Sequence, residues 1–291
     1  MSNNSGSCKL IKFEPCQQIP EDLSAFAENF FEVVSIDYTD DGKEQLIGYM
    51  RQNESETEMK QAAQNQGIEL PLYQTEHISS QDWLTENVIQ FAPVEVAEFL
   101  VYGIHEKNIE LHDKIGVRVY AATAFGSEHQ TTKCCLQALS DINSMSGKQE
   151  KFLDVGTGSG ILAIAAAKLW PTAQGVAVDI DDESVIVAKQ NAADNGVLPQ
   201  IIVSYSDGYQ SQVVRQHTPY DVIFANILAR PLISMAQDMA ASLKTNGYAI
   251  ISGFIDDQTD WVIAEHERHG LKLVKLYEME KWRAALLQKE V

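Results

Sequence analysis

The stretch that decides the fold is KFLDVGTGSGILAIAAAKLW, residues 151–170. It starts as a short apolar run, passes through three closely spaced glycines, and continues into a run rich in Ala, Ile and Leu. This order predicts a buried strand, a tight turn and a helix that packs back on the sheet. Glycines in such a turn let backbone N–H groups approach a ligand, because no Cβ blocks the way. We therefore expect a ligand at the carboxyl end of this strand.

The same alternation of strand and helix continues to the end of the chain. Strands are predicted at 174–180, 200–206, 220–226 and 247–254, and helices at 160–170, 182–196 and 230–244. The final segment, 271–288, reads as a hairpin that closes one edge of the sheet. Near-continuous apolar strands between amphipathic helices predict an α/β fold with a doubly wound, mostly parallel sheet over residues 113–291.

Two further segments precede this domain. Residues 1–78 alternate short strands and helices in the order βαββαβ, which predicts a small α+β domain of the split βαβ, ferredoxin-like type. Residues 79–112 contain several aromatic residues and few turn formers, so we interpret them as a packed connector with one strand around 95–104.

The charge balance disfavours nucleic acid as a partner. The chain has 22 basic and 41 acidic residues, a formal net charge of -19, whereas nucleic-acid binders carry a basic surface. Residues 1–78 alone hold five basic and 14 acidic residues. This acidity predicts that the first domain contacts a basic protein. A purely structural appendage, or acidity that serves only solubility, is the alternative.

No metal site, membrane segment or secretion signal is predicted. The four cysteines lack metal-binding spacing, the N-terminal residues lack a cationic region followed by an apolar run, and no apolar run reaches membrane-spanning length. His266 and His269 have no partner ligands in the sequence, so we expect them on a solvated helix face. These features predict a cytoplasmic protein with reduced thiols.

The spacing of the glycines separates two classes of cofactor. The dinucleotide fingerprint is G-x-G-x-x-G, whereas this chain has G-x-G-x-G with Asp154 two positions ahead of Gly156. That form, with Gly156 and Gly158, resembles motif I of class I S-adenosylmethionine methyltransferases. Asp179 ends the second strand, where a carboxylate can accept hydrogen bonds from two ribose hydroxyls. Asp207 follows the third strand and either contacts the adenine or only forms a turn with its neighbouring glycine.

The fourth strand, YDVIFA, ends at Asn226. Methyltransferases that modify planar nitrogens place an aromatic ring shortly after this position, and this chain has Ile227 and Leu228 instead. An aliphatic amine is therefore the expected acceptor. A lysine amine must lose its proton before it can attack, at a cost of roughly 4.6 kcal/mol at neutral pH. The Asn226 side-chain oxygen and the Ile227 and Leu228 carbonyls are candidate acceptors for the amine hydrogens.

Three stretches together resemble one family. NILARPL (226–232), AFGSEHQTT (124–132) and DWLTENVIQFAPVEVAEFLVYG (82–103) are similar to the ribosomal-protein methyltransferases of the PrmA family. The resemblance implies methylation of lysine side chains and the amino terminus of the eleventh large-subunit ribosomal protein. The small N-terminal domain would bind that substrate. The cofactor contacts implied by the resemblance are Thr132, Gly156, Asp179 and Asn226, with Phe125 bordering the pocket.

One departure from the family keeps alternatives open. FGSEHQTT is one residue shorter than the family's usual FGTGTHPTT and lacks its second glycine. The chain could instead methylate another protein or a small amine, or bind the cofactor without turnover. His129 lies in this segment and is either a general base or a hydrogen-bonding loop residue. We expect a monomer, because the enzyme must surround another protein.

Overall fold

The computed structural model describes residues 7–31, 33–39, 43–50, 55–79, 91–120 and 130–290. The chain divides into two compact units, residues 1–87 and residues 88–291. Within the described residues, no helix is long and apolar enough to cross a membrane.

The first unit is a four-stranded antiparallel sheet with two helices. Its strands lie in the order β2-β3-β1-β4, so the two βαβ halves interleave as the sequence predicts, and the ferredoxin-like arrangement is confirmed. Its elements are β1 (Ser7–Phe13), α1 (Glu21–Phe30), β2 (Val33–Tyr38), β3 (Glu44–Met50), α2 (Glu56–Asn65) and β4 (Tyr73–Ser79).

Local sequence explains how the helices of this unit form and pack. Leu23, Phe26 and Ala27 lie on one face of α1 at the i, i+3, i+4 spacing and are buried in the unit's core. Helix α2 starts at a capping box, in which the Ser55 hydroxyl accepts a hydrogen bond from the Glu58 backbone and the Glu58 carboxylate accepts one from the Ser55 backbone.

The second unit holds a seven-stranded sheet in the order β10-β9-β8-β11-β12-β14-β13. Its first five strands are parallel and the closing hairpin is antiparallel, which confirms the predicted doubly wound, mostly parallel α/β fold. The elements are β5 (Val94–Val96), β6 (Phe99–Gly103), β7 (Ile115–Val119), α3 (Gln130–Ser146), β8 (Lys151–Val155), α4 (Ile161–Leu169), β9 (Gln174–Asp179), α5 (Asp182–Asp194), β10 (Ile201–Tyr205), α6 (Gln212–His217), β11 (Tyr220–Asn226), α7 (Ala229–Ser234), α8 (Ala236–Ser242), β12 (Leu243–Ile255), α9 (Thr259–Arg268), β13 (Leu271–Met279) and β14 (Trp282–Lys289).

Both faces of this sheet are buried. Phe152 and Phe224 point into one core cluster, and their strand neighbours Leu153 and Ile223 point into the other. Period-two alternation therefore sends apolar side chains to opposite faces, and the strands read as continuous apolar runs because helices cover both sides.

The structure differs from the sequence predictions in three places. The predicted helix at 230–244 is two helices that meet at Met235. The connector carries two strands, β5 and β6, and β6 pairs in parallel with β7 in a small three-stranded sheet. The 17-residue helix α3, which precedes β8, is an element that the sequence analysis did not identify.

The expectation that His266 lies on a solvated helix face is wrong. His266 is fully buried on α9, with its Nδ1 atom 2.8 Å from the Val262 carbonyl oxygen. Burial lowers the pKa of this imidazole, since it disfavours the charged form. His266 shares the buried face of the helix with Thr259 and Val262, at a spacing of three and four residues, which makes it a core residue.

Candidate active site

The loop between β8 and α4 is held by backbone hydrogen bonds. The N–H groups of Gly156 and Thr157 both donate to the Val178 carbonyl, and the Gly158 N–H donates to the Asp179 carboxylate over 2.8 Å. Gly156 and Gly158 have φ angles of +69° and +54°, in the left-handed region that glycine tolerates best. Among the described residues, no atom lies within 4 Å of where a Cβ on Gly158 would stand. The loop is thus a backbone-lined cradle beside an acidic side chain.

Asp179 stands at the end of β9, beside this loop. Its second carboxylate oxygen accepts a hydrogen bond of 3.1 Å from the Asp181 N–H. Capping of α5 is the task of Asp181, whose side chain accepts from the Glu183 and Ser184 backbones. Two backbone donors therefore orient the Asp179 carboxylate without using it as a helix cap, and carboxylate oxygens can accept further hydrogen bonds.

Asp154 lies beneath the loop and is almost completely buried. One of its oxygens, Oδ2, accepts hydrogen bonds from the Thr157 hydroxyl (2.7 Å) and the Ala163 N–H (3.2 Å). Burial raises the pKa of this carboxyl to about 7, and the nearby charge of Asp179 adds to the rise, although the two hydrogen bonds oppose it. The acidic residue ahead of the first glycine therefore supports the loop from below.

Two asparagines, Asn191 in α5 and Asn195 at its C-terminal cap, hold the strand that leads toward the site. Asn191 is fully buried; it accepts from the Tyr120 N–H (2.7 Å) and donates to the carbonyls of Tyr120 and Ser159. Asn195 makes the same paired contact with the backbone of Arg118. The two amides thus substitute for a neighbouring strand along this edge, and Asn191 also connects it to the glycine loop. The sequence analysis missed both residues.

The end of β11 meets the start of α3 at the same sheet edge. The Asn226 amide nitrogen lies 3.4 Å from the hydroxyl oxygen of Thr132, a residue 94 positions earlier in the chain. Because the amide nitrogen points to Thr132, the Asn226 oxygen points elsewhere. The structure thus brings together two residues that the sequence analysis named separately.

The next two residues carry the backbone from β11 into α7. The Ile227 N–H donates to the Ser252 carbonyl on β12, and the Leu228 carbonyl accepts from Leu232 in the first turn of α7. One lone pair of the Leu228 carbonyl is therefore engaged, and the second remains available to another donor. The Leu228 side chain is 67% exposed.

The other residues predicted for the site are Asp207, Phe125 and His129, and only Asp207 belongs to the described residues. Asp207 is exposed after β10 and its carbonyl accepts from the Gln210 N–H, so it occupies a turn at the same sheet edge. Phe125 and His129 fall in residues 121–129, outside the described residues. Among the residues that the structure describes, no group of three or more His, Cys, Asp or Glu side chains is placed to hold a metal ion.

Comparison with known proteins identifies the family. The family profile described as ribosomal protein L11 methyltransferase (PrmA) matches residues 10–290. The chain belongs to this family. A ribosomal protein L11 methyltransferase of Brucella suis (strain ATCC 23445 / NCTC 10510) is 37% identical over 218 residues, which cover 75% of this chain and 76% of that protein.

Two further relatives are consistent with the assignment of this chain to the PrmA family. A ribosomal protein L11 methyltransferase of Rhodopseudomonas palustris (strain BisB5) is 37% identical over 215 residues, 74% of this chain and 72% of that protein. The crystal structure of a ribosomal protein L11 methylase from Lactobacillus delbrueckii subsp. bulgaricus superposes with a TM-score of 0.61 at 25% identity. It covers 70% of this chain and 100% of that chain.

Membership makes the chain a class I methyltransferase that uses S-adenosylmethionine, as the sequence analysis predicts. The residues of the sheet edge fit this cofactor. The Gly158 position leaves open space where a Cβ would stand, and the Asp179 carboxylate is oriented by backbone donors beside it. A nucleoside with two ribose hydroxyls and no pyrophosphate is a suitable ligand for one carboxylate and a short glycine loop.

Proposed function

We propose that this enzyme transfers methyl groups to lysine side-chain amines, and to the amino terminus, of ribosomal protein L11. The observation that carries the proposal is the family match over residues 10–290, which spans both units and not only the cofactor fold. The acceptor end of the sheet supports it, because Asn226 is followed by aliphatic residues and not by a ring that would stack on a planar group.

Each predicted cofactor residue has a task at this edge. We assign the ribose hydroxyls to Asp179 and the close approach of the cofactor to Gly156 and Gly158. We assign Thr132 and Asn226 to further cofactor contacts and Asp207 to the adenine; the family resemblance implies that Phe125, outside the described residues, borders the cofactor pocket. When bound, S-adenosylmethionine supplies a methyl group on a positively charged sulfur. The chain's own residues orient the amine and favour its uncharged form, whose proton is lost to solvent before the attack.

The acceptor loop, residues 226–228, orients the amine. Its nitrogen must be neutral, so that a lone pair can attack, and must point that lone pair at the methyl group. The Asn226 oxygen and the Ile227 and Leu228 carbonyls accept the amine hydrogens and leave the lone pair on the opposite side. Desolvation next to a positive sulfur lowers the pKa of the incoming ammonium, because both effects disfavour the charged form.

The N-terminal unit presents the substrate. Glu14, Glu21 and Glu69 are exposed in it, and their carboxylates have no hydrogen bond or ion pair among the described residues. They supply negative charge to a basic partner through long-range attraction. In this proposal the substrate-binding domain comprises residues 1–78, the connector residues 79–112 and the methyltransferase domain residues 113–291. We also propose that the enzyme is a monomer, and light scattering would measure its oligomeric state.

The decisive experiment is intact-mass spectrometry of L11 before and after incubation with the enzyme and S-adenosylmethionine. We expect a mass increase in whole methyl increments, located on lysine residues and the amino terminus by peptide mapping. An enzyme that binds the cofactor in calorimetry and leaves the mass of L11 unchanged would overturn the proposal. If a free small amine were methylated as fast as L11, the substrate class would be small amines and not a ribosomal protein.

A second experiment tests the substrate role of the N-terminal unit. The triple variant Glu14→Gln, Glu21→Gln, Glu69→Gln should raise KM for L11 and weaken its dependence on salt, with kcat unchanged. The matched control neutralises three exposed acids of the other unit, Asp113, Glu150 and Glu267. Equal effects of the two triples would show that net charge, and not the N-terminal unit, attracts the substrate.

A further inference from the structure

Ile227 contacts two glycines that come from different parts of the sheet. A Cβ built on Gly156, in the cofactor loop, would lie 2.3 Å from the Ile227 Cγ2 atom. A Cβ built on Gly253, in β12, would lie 2.0 Å from the Ile227 carbonyl oxygen. The side chain of Ile227 therefore occupies the space that a side chain at position 156 would need, and its backbone occupies the space that a side chain at position 253 would need.

Gly253 owes its conformation to an irregularity in β12. The pairing register between β12 and β14 shifts between Ser252 and Phe254, which makes Gly253 the extra residue of a bulge. Its φ angle is +96°, a conformation that residues with a side chain rarely adopt. The neighbouring Ser252 carbonyl accepts from the Ile227 N–H over 3.0 Å. The bulge thus receives the peptide that follows Asn226.

We infer that Ile227 is a wedge between Gly156 and Gly253, and that these two glycines set the position of the acceptor loop relative to the cofactor. Gly253 is a positioning residue in this scheme, since it acts through the Ile227 peptide. The inference rests on the proposed function for the part that concerns methyl transfer. The contact of Ile227 with Gly156 concerns cofactor binding alone.

The size of the effect of Gly253→Ala follows from the geometry. Contacts of a Cβ atom under 3.0 Å essentially do not occur, and the new Cβ at position 253 would lie 2.0 Å from the Ile227 carbonyl oxygen. The two atoms must therefore separate by at least about 1 Å. A misplacement of 1 Å near a reacting group costs about 100-fold in rate. We expect kcat on L11 to fall by about that factor, while the Kd for S-adenosylmethionine changes by less than about threefold.

Gly270→Ala is the matched control for Gly253→Ala. Gly270 has a φ angle of +81°, and nothing among the described residues lies within 4 Å of its Cβ position. It therefore carries the same backbone strain without the clash. The inference requires Gly253→Ala to lose far more kcat than Gly270→Ala. Equal kcat values for the two variants would overturn it.

The contact with Gly156 is tested by rescue, measured as cofactor affinity. Gly156→Ala should weaken binding of S-adenosylmethionine by about tenfold or more, and addition of Ile227→Ala should recover most of the loss. In the double variant the side chain of residue 227 ends at Cβ, which lies 3.8 Å from the Cβ position of residue 156, an ordinary van der Waals distance. The Cβ of Gly158→Ala would meet no atom of the described residues, so addition of Ile227→Ala should not restore any cofactor affinity that this variant loses. Ile227→Ala should also fail to restore the kcat lost in Gly253→Ala, because that clash is with the backbone of residue 227.

The two arms separate the possible failures. If Gly253→Ala does not fold, as judged by thermal unfolding, the rescue of Gly156→Ala by Ile227→Ala still decides whether the wedge exists. Absence of that rescue would overturn the inference. If the wild-type enzyme leaves L11 unmodified, the proposed function fails, while the calorimetric rescue continues to test the wedge.

Discussion

The two halves of the active edge are built in different ways. On the side assigned to the cofactor, the glycine loop and the end of β9 belong to consecutive elements, and the hydrogen bonds between them join residues 21 or 22 positions apart. On the acceptor side, the amide of Asn226 lies against Thr132, which is 94 positions away, and the Ile227 peptide lies against a bulge in another strand. A motif can therefore encode the cofactor side, whereas the acceptor side exists only once the sheet has formed.

The largest expected effect is the loss of cofactor binding in Asp179→Ala. Hydrogen bonds to a carboxylate are worth about 1.5–3 kcal/mol each, and two ribose hydroxyls are involved, so Kd should rise about 1,000-fold. Isothermal titration with S-adenosylmethionine measures it. Asp207→Ala is the comparison variant; it is expected to cost less than about tenfold because its side chain is exposed. Unchanged affinity of Asp179→Ala would place the ribose elsewhere.

On the acceptor side, Asn226→Ala should affect rate more than binding. Loss of an oriented polar group at the reacting centre costs about 100-fold or more in kcat. Single-turnover kinetics with L11 measures this step without product release. Thr132→Val keeps the shape of the side chain and removes the contact to the Asn226 amide, and should cost about tenfold. If Asn226→Ala reduced cofactor affinity and kcat equally, Asn226 would belong to the cofactor side.

A third prediction concerns Asn191 in α5 and Asn195 at its C-terminal cap. Asn191→Ala leaves buried polar groups of Tyr120 and Ser159 without partners and should lower the free energy of unfolding by about 2–3 kcal/mol. It should also weaken cofactor binding, because Ser159 belongs to the glycine loop. Asn195→Ala loses its contacts with the Arg118 backbone and with the Asn191 carbonyl, none of which involves the glycine loop, so it should destabilise without changing Kd. Chemical denaturation and calorimetry distinguish the two. Equal Kd values in both variants would refute this link to the loop.

The remaining prediction concerns stability alone and is a pH dependence caused by Asp154. Its pKa in the folded chain is about 7, above the ordinary value of 3.8, so the folded state binds more protons than the unfolded state between these values. Its stabilising contribution is full below pH 3.8 and is lost as pH rises through 7, by up to about 1.4 kcal/mol per pH unit.

Asp154→Asn removes this titration and keeps an oxygen for the Thr157 and Ala163 donors, both of which contact the same carboxylate oxygen. The difference in unfolding free energy between variant and wild type should therefore change steadily from pH 4 to pH 7. Parallel curves would mean that Asp154 ionises with an ordinary pKa. Thr157→Val is a useful companion, because loss of its hydrogen bond should raise the pKa of Asp154 further.

The success of sequence interpretation followed the locality of the contacts. Asp179 was identified because strand, glycine loop and acidic residue follow one another at a typical spacing. Asn191 was missed, although an asparagine inside a helix is a detectable signal, since such a residue disfavours helix interiors unless it bonds elsewhere. Gly253 carried the signal of a glycine inside a strand, which indicates a bulge or a close backbone approach. His266 was misplaced because burial of one helix face depends on what packs against it.

The sequence alone determined the α/β and ferredoxin-like folds, the class of cofactor and the family, because strand and helix periods, glycine spacing and motif order are local properties of the chain. Only the tertiary structure decided which distant residues meet the acceptor loop. Parallel strands 8, 11 and 12 bring Gly156, Ile227 and Gly253 to one edge, although they are far apart in sequence. A glycine inside a strand indicates a close approach, but the sequence does not say which residue approaches, because the partner is set by the order of strands in the sheet.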